Sequence, residues 1–173
     1  MSHPAGRDPV PTPCGTAGMW FKHNQERELR SLLARIEAAA EPTGDLVAEL
    51  LRHACPRLQG AHKPNDSVRR FIEAQAWVEL GFWLIGWELP DWVIHRLSCD
   101  DSRWNCAICV RGLAINWVED VAEFQHDNPA LAILGALVQA QLRKIQGPTP
   151  SNVTPFRRME RGKAHHVNND AER

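Results

Sequence analysis

Apolar positions along the chain recur with two different periods. Leu29, Leu32, Leu33 and Ile36 fall at i, i+3, i+4 and i+7, one face of a helix, so the spacing predicts a helix through "QERELRSLLARIEAAAE" with Asn24 as its N-cap. Pro42 and Gly44 interrupt it. A second amphipathic helix, "DLVAELLRHAC", is stopped by Pro56, and residues 56–65 read as a loop or linker. Asp66 or Ser67 can then cap one long helix running to about Trp87, with Phe71, Ala74, Trp77, Val78, Leu84 and Ile85 on its apolar side. Phe82 and Trp83 lie off that side, and a helix apolar on most sides is either central in a core or covered by a partner.

Beyond Pro90 the period changes to two. "WVIHRLSC" (92–99) and "WNCAICV" (104–110) are rich in β-branched and aromatic residues and flank a polar "DDSR", the pattern of a hairpin. A turn about Asp101–Ser102 pairs Cys99 with Trp104, Leu97 with Cys106, His95 with Ile108 and Val93 with Val110, all on one face. The other face carries Ile94, Arg96, Ser98, Asn105, Ala107 and Cys109. "WVEDVAEFQHD" reads as a short helix. Asn128 and Pro129 supply an N-cap and first-turn proline for "ALAILGALVQAQLRKIQ", which Gly147 and Pro148 end. The expectation is therefore a small, mostly helical α+β domain over 19–147, with about five helices packed around one antiparallel β-hairpin. Residues 1–18 and 148–173, rich in Pro, Gly and polar side chains, are expected to be disordered, and Met19 offers a second translation start.

Composition refines this picture in two places. Charge is uneven: residues 66–127 carry 5 basic and 11 acidic side chains (net −6), and residues 128–173 carry 7 and 3 (net +4). The basic end, with Arg157, Arg158, Arg161 and Lys163, is a solvated tail or a weak contact for nucleic acid. Aromatic usage is also skewed, with seven Trp, five Phe and no Tyr. Trp77, Trp83, Trp87, Trp92, Trp104 and Trp117 are mostly core material, yet Phe82, Trp83 and Trp87 leave an aromatic patch that suits a protein interface. The most apolar stretch, 71–89, contains three glutamates, and its charge-free run from Leu80 to Trp87 is too short to cross a bilayer. Five cysteines and the lack of an apolar leader point to a cytoplasmic protein with free thiols.

Two constellations bear on chemistry. His95, Cys99, Cys106 and Cys109 have metal-ligand chemistry, zinc being the natural guest. The hairpin alternation sends Cys106 and Cys109 to opposite faces, so those four converge only if the segment is a loop, and buried structural thiols are the expectation. Glu123-x-x-His126, with Glu119 one turn earlier, has the spacing of a di-iron helical site, but Glu49 and His53, its nearest counterpart, are four apart. Asp100 and Asp101 read as turn residues. Nucleophile-elbow, phosphate-loop, zinc-protease and dinucleotide signatures are missing, so the reading leans away from an enzyme and calls for no cofactor.

The run "EAQAWVELGFWLIGWELPDWVIHRLSCDDSRWNCAI" resembles a set of short proteins of rhizobia and related alphaproteobacteria that have no known function. They share an apolar helix ending in Glu-Leu-Pro-x-Trp, a hairpin closing on Trp-x-Cys, and an Ala/Leu-rich helix. The matching residues are Trp77, Glu88, Leu89, Pro90, Trp92, Trp104 and Cys106, within about residues 70–145. Cys99 and Cys109 fall outside that pattern. The resemblance implies a bacterial cytoplasmic protein and brings no activity or site residues. The function expected is thus that of a non-enzymatic accessory or regulatory protein working through protein partners or as a homo-oligomer. Zinc binding by the hairpin cysteines is the alternative, and nucleic-acid contact by the basic tail a weaker one.

Overall fold

A computed structural model describes residues 16–61, 66–112 and 121–147. Of the expected disorder at 1–18 and 148–173, residues 1–15 and 148–173 lie outside the described residues, with the basic-tail residues, Trp117 and Glu119, while residues 16–18 open a helix. Among the described residues the chain folds as an α+β structure, mostly helical, with helices α1 (Thr16–Ala38), α2 (Gly44–Ala54), α3 (Pro56–Gln59), α4 (Asp66–Glu73), α5 (Trp77–Glu88) and α6 (Pro129–Gln146). Strands β1 (Trp92–Asp100), β2 (Arg103–Val110) and β3 (Val121–His126) form one antiparallel sheet in the order β1-β2-β3.

α6 is the centre. It touches α1, α2, α5, β2 and β3, and every side chain from Ala130 to Val138 is buried. Its start follows from the residues expected: Asn128 accepts hydrogen bonds from the Ala130 and Leu131 N–H groups, and Pro129 takes the first turn. Gly135 permits its contact with the sheet, since a Cβ there would lie 2.1 Å from the Phe124 ring. Leu29, Leu32 and Ile36 of α1 and Leu46, Val47 and Leu50 of α2 complete this core.

Four local expectations are corrected. α1 begins at Thr16 and runs through Asn24, whose side chain accepts from Arg27 Nη2 (2.6 Å) within the helix instead of capping it. The segment expected as a loop at 56–65 contains α3, started by Pro56 at the first helical position. The single helix expected over 66–87 is two, α4 and α5. The break is a Schellman motif in which the Gln75 N–H bonds Ile72 O (3.1 Å) and the Ala76 N–H bonds Phe71 O (2.9 Å), with Gln75 at φ 52°. Glycine usually takes that left-handed position, so no residue announced the break.

The fourth correction concerns "VAEFQH", expected as a helix and found as β3, which makes the expected hairpin a three-stranded sheet. Strict alternation explains it: Ala122, Phe124 and His126 are buried while Glu123 and Gln125 are exposed. Pairing with β2 closes the core side of the sheet, a tertiary gain that local periodicity does not reveal.

Candidate functional site

The cysteine hairpin is where the sequence placed it, with one shift. Asp101 and Ser102 both have positive φ (49° and 66°), as a type I′ turn requires. Cys99 pairs with Trp104 and Leu97 with Cys106 as expected, but a bulge at His95 then moves the register by one. Ile94, not His95, lies opposite Ile108, and Val93 faces Cys109 instead of Val110. The bulge gives the place opposite Ile108 to the isoleucine and leaves His95 exposed, which corrects the expected pairing of His95 with Ile108.

The four candidate ligands therefore do not converge. Cys106 is buried on the core face, and burial pushes its thiol up to about 11. Cys109 sits half-buried on the opposite face, Cys99 is exposed near the hairpin tip, and His95 is exposed at the bulge. Among the described residues no group of three or more His, Cys, Asp or Glu side chains is gathered to hold a metal ion. The di-iron spacing dissolves in the same way, because residues three apart on a strand face opposite sides. Glu123 accepts from Arg96 (2.9 Å) and from Asn105 on the outer face, and the buried Asn105 Oδ1 has no partner among the described residues. His126 is buried, and its Nδ1 accepts the Asn128 N–H (2.9 Å), which fixes the β3–α6 corner. Glu49, on α2, pairs with Arg35 of α1.

The Glu-Leu-Pro-x-Trp stretch has a structural job that sequence reading missed. Glu88 is fully buried at the end of α5. Its Oε2 accepts the Arg57 N–H (3.0 Å) and its Oε1 the Leu58 N–H (2.7 Å), so it caps α3 from thirty residues away. Leu89 is buried beside it, Pro90 prevents the helix from continuing, and the Trp92 N–H bonds Leu89 O (2.9 Å) as β1 begins. Cys55 is buried at the same corner, where desolvation first and the Glu88 charge second raise its thiol pKa. The available signal was a carboxylate inside an otherwise apolar run, which must find donors if it is buried.

The outer side of α5 is different in kind. At ~100° per residue, Leu80, Gly81, Leu84, Ile85 and Glu88 form its inner stripe, and Glu79, Phe82, Trp83 and Gly86 its outer one. Phe82 (39% exposed) and Trp87 (42%) are the exposed large hydrophobics among the described residues. Trp83 is half-buried and stacks on Trp87, with ring centroids 5.3 Å apart and planes 12° apart. The structure thus places all three aromatics expected at an interface on α5, with Trp83 and Trp87 on one flank and Phe82 on the other. No helix among the described residues is long and apolar enough to cross a membrane. No family model, curated protein or solved structure matches this chain.

Proposed function

We propose that this is a non-enzymatic accessory or regulatory protein of the cytoplasm, acting through a protein contact made by the outer side of α5. The observation that carries the reading is the exposure of Phe82 and Trp87 on a helix whose inner stripe already has its core. Phe82 and Trp87 are still 39% and 42% exposed, so covering what remains of each is worth roughly 1 kcal/mol, and the Trp83–Trp87 stack holds two rings in place before any partner arrives. Tryptophans so arranged are the usual anchors of interfaces.

A photo-crosslinking side chain at Phe82, compared with one at the exposed Arg52 of α2, tests this in the full chain in cells. The expected result is a discrete protein adduct from position 82 that is absent at 52 and lost when Trp87 is replaced by serine. Equal, diffuse labelling at both positions would discard the reading.

A further inference from the structure

We infer that α4 is an order–disorder strap, which melts away from α5 as a unit while the structure around α6 stays folded. The first ground is how little α4 buries. Of its eight residues only Val68 is buried, with Ser67, Phe71 and Ile72 half-buried. The eleven residues of α2, by contrast, bury Leu46, Val47, Leu50 and Ala54. The principal neighbour of α4 is α5. A helix this short does not persist on its own in water, so α4 leaves α5 only by unfolding.

The second ground is the joint between the two helices. Gln75 sits there at φ 52°, a left-handed conformation that a Cβ disfavours and glycine adopts freely. Closed, the strap holds that strain; melted, it lets Gln75 return to ordinary backbone angles. The bonds from the Gln75 N–H to Ile72 O and from the Ala76 N–H to Phe71 O span only the joint, so they go with the helix. α3 makes the contrast, because Glu88 holds its N-terminus from thirty residues away.

The third ground is that α5 is anchored without the strap. Leu80 and Leu84 are fully buried, Gly81 lets the helix approach Ile133 of α6, and Glu88 fastens its last turn to α3. Melting of α4 therefore brings Val68, Phe71 and Ile72 into water and removes cover from α5, where Trp77 and Val78 of the first turn are half-buried. A partner on the aromatic side of α5 that also takes up this apolar surface binds the open form. Its apparent affinity then scales with the fraction of chains that are open. That regulatory step rests on the reading of α5 as a contact surface; the strap itself rests on packing and backbone alone.

Native-state hydrogen exchange of the full chain tests the strap. Amides of α4 should exchange at least about a hundredfold faster than those of α6, with little response to low denaturant, because a local opening exposes little surface. Gln75→Gly should slow α4 exchange about fivefold, and Gln75→Val, β-branched at a positive φ, should speed it about tenfold. Gly135→Ala, which loosens α6, should speed α6 exchange up to about a hundredfold and leave α4 within about twofold. Circular dichroism melts confirm that each variant folds. Amides of α4 that exchange at the α6 rate with the same denaturant slope, or that speed up with α6 in Gly135→Ala, overturn the strap. Gln75→Gly without effect on α4 overturns it too. The regulation is read from the Phe82 crosslink, whose yield should fall about fivefold in Gln75→Gly and rise in Gln75→Val. A yield unchanged in both variants overturns the regulation and leaves the strap standing. With no discrete adduct in the parent, the contact reading and its regulation both fall, and exchange still decides the strap.

Discussion

α5 and α6 are both apolar nearly all round, yet they solve the resulting problem in opposite ways. α6 lies under the sheet and is touched by α1, α2, α5, β2 and β3, so Leu131, Ile133, Leu134, Leu137 and Val138 all find partners around its circumference. α5 touches α3, α4, α6 and β1, which cover its inner stripe and leave Phe82 and Trp87 partly exposed. Apolar character all round says that a helix must be enclosed; only the packing says by what. For α6 the enclosure is its own chain. For α5 it is incomplete.

The comparison breaks first if α6 is not as tightly enclosed as described. Gly135→Ala would drive a Cβ into the Phe124 ring, which is planar and held by β3, so relief requires moving the helix off the sheet. The expected loss is about 3 kcal/mol, read as a shift in the denaturation midpoint at unchanged slope. A loss below about 0.5 kcal/mol would mean that α6 is loosely seated.

Next comes the inner end of α5. Glu88→Ala leaves the part-buried Arg57 and Leu58 N–H groups without their acceptor and opens a cavity at the α5–β1 corner. The expected cost is about 2–3 kcal/mol, with Glu88→Gln intermediate because an amide oxygen can serve one donor. Equal stability of the alanine variant and the parent would show that α3 needs no cap.

The sheet face that α6 covers has its own readout in Cys106. Its thiol rises from 9.0 to about 11 through burial, so the folded chain keeps a proton that the unfolded chain releases. Stability is therefore independent of this group below pH 9 and falls as pH rises from about 9 to 11. The raised Cys55 thiol acts in the same direction, so Cys106→Ala should reduce the slope across that window by about half when unfolding is followed across it. An unchanged alkaline fall would assign the loss to other groups.

How much of this was legible depends on whether the deciding force is local. Asn128–Pro129, Thr43 before α2, and the Asp101–Ser102 turn write their structure into adjacent residues, and the elements follow from them. The Gln75 break was hidden because a residue with a Cβ occupies the left-handed position. β3 was hidden because six residues fit a helix or a strand until β2 is there to pair with. The His95 bulge was hidden for a similar reason: both registers put an apolar residue opposite Ile108 or next to it, and core packing chose Ile94. Of the candidate residues, the exposure of Phe82 and Trp87 was readable because they exceed what one core stripe can use. The Glu88 cap joins residues thirty apart, and no local pattern carries that.

The smallest effect sharpens the comparison most, because it sets two substitutions of the same chemistry against each other on one helix. Alanine raises helix propensity over glycine by about 1 kcal/mol wherever the added methyl has room. At Gly86 it has room, with nothing within 4 Å, so Gly86→Ala should stabilise the chain by up to ~1 kcal/mol. At Gly81 the same methyl would meet Ile133 Cγ2 at 2.7 Å. A β-branched side chain has few rotamers in which to retreat, so the propensity gain is overtaken and Gly81→Ala should cost a net ~1 kcal/mol. Opposite signs, measured by denaturant unfolding of dilute protein, would show that α5 has one finished side and one unfinished side. Equal signs would mean that the two faces of α5 are alike in the folded chain.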